Sequence, residues 1–199
     1  AEQFTASGQW TAGAVEFSFA SSHYSGVGAW PYRGDAEQPI TLALAELKIP
    51  ANSAAAQSDS PPALNFATLP AINFSVQSLH YGQRALGELA FELRAEPELL
   101  RFEQLRGEIL GVRLGGEHDA VEGGNQLRWH YGGDTPHTAL RGGFASGDIA
   151  ELFRLVGSEP IADSSESYLQ AQLSWPGHPW QIDSQQLQGQ LSVNLTRGQ

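Results

Sequence analysis

The side chains able to do chemistry are scattered along this chain rather than grouped. Glu117, His118 and Asp119 are the one place where three possible metal ligands adjoin. On a strand, adjacent side chains leave on opposite faces, so at most Glu117 and Asp119 share one. That is short of the three ligands a zinc site wants on one side. The other histidines, His23, His80, His130, His137 and His178, form no H-x-H or H-x-x-x-H pair. They are expected as isolated residues in loops or on polar faces. The sequence holds no G-x-S-x-G elbow, no P-loop and no G-x-G-x-x-G after a strand. Its 22 Asp+Glu would supply a glycosidase-type acid/base pair, but no spacing makes two of them converge, and on so acidic a chain they read as a solvated surface. No catalytic residue, no metal and no cofactor are expected, and an acidic-pair hydrolase ranks third among the functional classes.

Composition narrows the partners. With 11 Lys+Arg against 22 Asp+Glu, the net charge is −11, and no basic run is available to neutralise phosphates, so nucleic acid is not an expected partner. The absence of cysteine removes disulfides and thiol chemistry without fixing a compartment. No apolar run approaches the roughly 18 residues of a membrane span. The start at Ala1, without a leader pattern, and the end at Gly198 and Gln199 suggest a piece of a longer protein.

The elements that would position any site are mostly strands. Val15, Phe17 and Phe19 alternate with Glu16 and Ser18. Ser21 to Gln38 reads as a long irregular loop or short hairpin, with Tyr24, Trp30 and Tyr32 covering a sheet edge or end rather than forming a ligand platform. Ile40, Leu42 and Leu44 alternate until Glu46, where the parity switches to Leu47 and Ile49, which predicts a bulge or a strand end. Pro50 to Leu64 is an Ala/Ser/Pro stretch without a period and reads as a linker. Beyond it, alternation persists through Ile72, Phe74 and Val76, then Leu89, Phe91 and Leu93, Leu100 and Phe102, Leu110, Val112 and Leu114, and Leu127 and Trp129. Gly82, Gly87, Gly107, Gly115 and Gly116 punctuate this predicted antiparallel meander where turns and bulges need positive φ. Leu169, Leu173 and Trp175, and then Leu191, Val193 and Leu195, repeat the scheme, with Pro176-Gly177 suited to the centre of a type II turn. One helix is predicted, Ile149 to Val156, capped by Asp148, Glu151 and Gly157, with Ile149, Leu152, Phe153 and Val156 as its packing stripe.

The faces opposite the apolar rows are mostly Gln, Ser, Asn and Glu, which is what an antiparallel sheet with one wet face requires. From pattern alone the simpler reading is a closed sandwich. The alternative is a curved sheet left partly open, because one short helix covers little of so many strands.

Three stretches carry a family resemblance. These are L-x-G-x-x-x-S-G-D-I-A-x-L-F-x-L-V-G at Leu140 to Gly157, A-Q-L-S-W-P-G-H-P-W at Ala171 to Trp180, and L-x-G-x-L-S-V-N-L-x-x-G at Leu187 to Gly198. Leu69 to Gly82 looks like the same group's lead-in. The chain resembles the YhdP group of AsmA-like proteins of Gram-negative bacteria. The resemblance implies a periplasmic β-sheet groove that carries phospholipid toward the outer membrane, in a protein held in the inner membrane by an N-terminal helix outside this chain. It brings no catalytic residues.

The expected fold is therefore all-β: an elongated, strongly twisted antiparallel sheet forming an open hydrophobic groove, with the one helix at about 149–156. Residues 1–49 would be its first strands, 50–64 a linker and 65–199 the main segment. The expected lining is Phe74, Val76, Leu89, Phe91, Leu93, Leu100 and Phe102 on the earlier strands, and Leu127, Trp129, Leu169, Leu173, Leu191, Val193 and Leu195 on the later ones. Expected partners are phospholipid acyl chains, adjoining segments of the same full-length protein, and envelope proteins. The runner-up is a β-sandwich adhesion or carbohydrate-binding module using exposed Trp30, Trp175 and Trp180.

Overall fold

Alternating apolar and polar residues commit this chain to strands, and the strands join one another edge to edge. In the computed structural model, residues 4–32, 38–50, 66–115, 124–133, 135–146, 166–183 and 185–196 are described. They form one twelve-stranded sheet. The first four strands are β1 (Thr5–Trp10), β2 (Ala14–Ala20), β3 (Tyr24–Pro31) and β4 (Ile40–Ile49). A 3-10 turn, Phe66–Thr68, precedes β5 (Ile72–Tyr81), β6 (Arg84–Glu96) and β7 (Leu99–Ile109). The remainder are β8 (Val112–Leu114), β9 (Gln126–His130), β10 (His137–Ser146), β11 (Glu166–Pro176) and β12 (Gln188–Thr196). The order runs β1 to β8 and then β10, β11, β12, with β9 between β7 and β10. Ten steps of about 4.8 Å make the sheet roughly 48 Å wide across its strands, so it is a long, twisted, groove-forming sheet with β1 and β12 as its edges.

Two features depart from a plain meander. The segment expected as a loop at 21–38 contains β3, paired along its length with β2 and β4. And β4 pairs with β5 in parallel, Ile40 beside Ile72 and Leu44 beside Val76, whereas every other pair is antiparallel. Residues 50–71 exceed the roughly dozen that a parallel crossover needs to bring the chain back to its starting end. The parity switch near Glu46 is a bulge: Ser25 pairs with Glu46 but Gly26 with Leu44, which leaves Ala45 extra. Leu110, expected in a strand, has φ 53 beside Gly111 at φ 78. Together they turn the chain from β7 into β8, since a tight hairpin wants positive φ at both central residues.

Gly87 and Gly107 sit inside strands rather than between them, at φ 128 and 140. A Cβ on Gly87 would run into the Glu108 carbonyl oxygen, and one on Gly107 into that of Glu88. The two glycines let β6 and β7 bend across one another. The predicted helix Ile149–Val156, with Leu152 and Phe153, lies outside the described residues, as do Glu117–Asp119, the stretch 51–65 and Gly116. Among the described residues no helix is long and apolar enough to cross a membrane.

The strand between β7 and β10 is split. β8 covers one end of both neighbours and β9 the other, which leaves a gap opposite Gly142 and Gly143. Asn125 closes it. Its backbone carbonyl accepts from Leu105 N at 2.9 Å. Its side chain donates from Nδ2 to Gly143 O at 2.9 Å and accepts from Gly143 N at Oδ1 at 2.6 Å. An amide side chain thus supplies the donor and acceptor that a strand residue would have offered, which is why so polar a group is stable fully buried.

Candidate functional site

The strand register places apolar side chains in rows that cross the whole sheet. One row starts with Ala6, Phe19, Gly26, Leu44 and Val76 on β1 to β5. It continues through Leu89, Gly107, Leu114, Phe144, Leu169 and Val193 to β12. Every position is apolar or glycine. A second row links Ile72, Leu93, Phe102, Leu127, Leu140 and Leu173. Because side chains alternate with period two, both rows lie on one face.

This face holds those residues expected to line a groove whose side chains are described. Phe74 pairs with Phe91, their rings stacked at 4.8 Å, and Phe91 meets Phe102 edge-on at 5.2 Å. Leu100 pairs with Trp129, and Leu191 pairs with Ala171. Leu195 takes its place in the β12 register opposite Ser167, but its side chain is not among those described. Sequence reasoning left out the contribution of β2 and β4, Phe17, Phe19, Leu42 and Leu44, and that of Leu140 and Phe144 on β10. The alternation of Phe17 and Phe19 and of Leu42 and Leu44 was visible, but only register shows that all six continue the same rows.

The middle of this face is sheltered. In a single layer a side chain is covered only from the flanks, yet Val76 is 2% exposed. It reaches that burial, with Leu44 and Leu79, because Phe19 from β2 and Leu86, Leu89 and Ile109 from β6 and β7 pack around the cluster. Elsewhere the wall is half-buried: Phe74, Leu89, Phe91, Leu93, Phe102, Leu127 and Leu173 are neither sealed nor free. Leu191 is 44% exposed. Among the described residues every strand belongs to one sheet, and no second sheet closes over this face.

The opposite face is wet. Arg94 Nε lies 3.2 Å from Glu103, and Arg101 lies 2.7 Å from Glu96. Ser7 and Ser18 share a hydrogen bond at 2.8 Å, and Gln9 donates to Glu16. A hollow of about 420 Å³ on this side is lined by Gln126, Arg128, Arg141, Gln172 and Gln190, together with Leu140 and Leu173. Among the described residues no three His, Cys, Asp or Glu are grouped to hold a metal.

One end of the wall carries an aromatic cluster. Trp129 meets His178 at 5.3 Å, Trp180 at 5.3 Å and Phe66 at 5.9 Å, and His178 stacks flat on Trp180 at 5.0 Å. Trp175 donates from Nε1 to His178 O at 3.1 Å, with Gly177, at φ 100, turning the chain between them. Two expectations fail here. His178 is a buried member of this cluster rather than an isolated surface histidine, and Trp175 is 3% exposed rather than available to a glycan. Both are buried because the turn after β11 folds back onto Trp129. Trp129 Nε1 is buried with no acceptor, a cost of about 1–3 kcal/mol for an unpaired donor.

No curated protein and no solved structure matches the chain. The model of one protein family, described as YhdP protein, matches residues 2–199. With that match over an all-β sheet that shows one apolar and one wet face, the chain belongs to the YhdP family of AsmA-like, lipid-transport-type proteins of the cell envelope.

Proposed function

We propose that this chain is a length of wall along which phospholipid acyl chains move, shielded from water, between the inner and outer membranes. It would work in the periplasm, without enzymatic chemistry, as part of a protein anchored in the inner membrane by a helix outside this chain. Adjoining segments of that protein would extend the groove. The observation that carries the reading is the unbroken apolar row from Ala6 to Val193, half-buried over most of its length. Each methylene laid against it gains about 0.8 kcal/mol on leaving water. The wall offers no directional bond, so a chain held this way still slides.

The test is photocrosslinking in the intact protein in cells, with the probe at Phe91 on the wall or at Glu92, its neighbour on the wet face. Phospholipid should be captured at Phe91 and not at Glu92. Equal capture at both, or none at Phe91, would show that this face is not the lipid path. The glycan-binding reading fares worse on geometry, because Trp175, one of its three contacts, is buried.

A further inference from the structure

All five tryptophans of the chain lie along one rim of the wall. Trp10 ends β1 and pairs with Val15, which pairs with Trp30 near the end of β3. Trp129 pairs with Thr138, and Thr138 with Trp175, at the matching ends of β9, β10 and β11. Trp180 packs onto Trp129. By register, the four on strands share the apolar face with Phe17, Leu127 and Leu173. Tyr32 and Tyr131 stand at the same rim, against Trp10 and Trp129. The opposite rim ends on the same face in Tyr24, Ile49 and Tyr81 and in the small residues Ser146 and Ser167.

The arrangement depends on the one parallel pair. Trp10, Trp30, Trp129 and Trp175 all lie toward the C-terminal ends of strands that run the same way. Had β4 and β5 been antiparallel, every later strand would be reversed, and Trp129 and Trp175 would lie on the rim opposite Trp10 and Trp30.

Indole has an apolar body and one N–H donor, which suits it to the level where acyl chains give way to ester and phosphate oxygens. Three of the five have free surface for this: Trp10 is 77% exposed, and Trp30 and Trp180 are 58% exposed. From Thr138 to Ser146, β10 spans about 27 Å. That exceeds one leaflet's depth of hydrocarbon, half of a roughly 30 Å core, so a lipid entered from one rim keeps its chains on the wall.

Building on the lipid-path reading, we infer that the tryptophan rim is a binding site for the polar end of the phospholipid, glycerol esters and phosphate, with the acyl chains directed toward the Tyr24/Tyr81 rim. The lipid therefore travels in one orientation. The tyrosines expected to cover a sheet edge are then part of the ligand boundary.

The test uses the intact protein in cells labelled with radioactive phosphate, with a photocrosslinking residue at position 30, 180, 81 or 91. Mild alkali splits the lipid esters. An adduct formed through glycerol or head group keeps its phosphate, and one formed through an acyl chain loses it. Phosphate should survive alkali at 30 and 180 and be lost at 81 and 91. Loss at 30 and 180, survival at both rims, or capture at 91 with none at 30 and 180 would overturn the orientation while leaving the groove. No capture at any of the four positions would overturn the groove itself, and this inference with it.

Discussion

Replacing Asn125 by alanine tests whether the wall is one continuous sheet. The Asn125 side chain is the partner of Gly143 N–H and of Gly143 C=O, and Gly143 is buried. Alanine leaves one donor and one acceptor unpaired, at about 1–3 kcal/mol each. Water entering the vacated space lowers the sum, so the expected loss is about 2–4 kcal/mol. For a chain of this size that is a fall in Tm on the order of 10 °C. Equilibrium urea unfolding, followed by tryptophan fluorescence, measures it. Asn125→Asp sharpens the test. Its carboxylate would face Gly143 O without a proton to donate, so folding would raise its pKa above the reference of about 3.9. The variant should be most stable below that pH and lose stability as pH rises through the folded value. A Cβ added at Gly142 would meet Asn125 Cγ at 2.6 Å, so Gly142→Ala should destabilise the native chain. Beside Asn125→Ala it should cost at least about 1 kcal/mol less. A loss under about 0.5 kcal/mol for Asn125→Ala would refute the view that this side chain closes the split strand.

Three further outcomes are expected. Phe91→Asp puts a carboxylate between Phe74 and Phe102, where an acyl chain must pass. It should abolish lipid capture by a crosslinker placed at Leu127, at several kcal/mol for a dry unpaired charge, while Glu92→Gln leaves capture unchanged. Gly107→Val, at φ 140 with a Cβ driven into the Glu88 carbonyl, should destabilise by more than about 2 kcal/mol in urea unfolding. The Arg94–Glu103 pair is half exposed, and a double-mutant cycle should give it less than about 1 kcal/mol, falling further with added salt.

What was legible in the sequence was what period two can carry. β2, β4 to β7, β9, β11 and β12 announce themselves by alternation, whereas β10, interrupted by Gly142 and Gly143, does not. β3 does not, because its wall positions Gly26 and Gly28 have no side chain to alternate. The ring of Phe17 from β2 lies where a Cβ on Gly28 would stand, so one strand's apolar surface is supplied by its neighbour. Asn125 was equally hidden. Within G-E-H-D-A-V-E-G-G-N it looks like turn composition, and only the split between β8 and β9 turns it into a sheet partner.

The tryptophan rim shows why strand direction is the information that alternation cannot supply. Periodicity assigns a residue to a face and says nothing of which end of the sheet it occupies. In a simple meander, tryptophans near the C-terminal ends of β1, β3, β9 and β11 would divide between the two rims. The parallel step from β4 to β5 brings them together, and its long connection, residues 50–71, is the stretch whose composition says least. A groove needs only an apolar wall, whereas a groove that carries its lipid in one orientation needs unlike rims. Shortening that connection until β4 and β5 must form an antiparallel hairpin would keep every apolar row in composition and place Trp129 and Trp175 on the rim opposite Trp10 and Trp30.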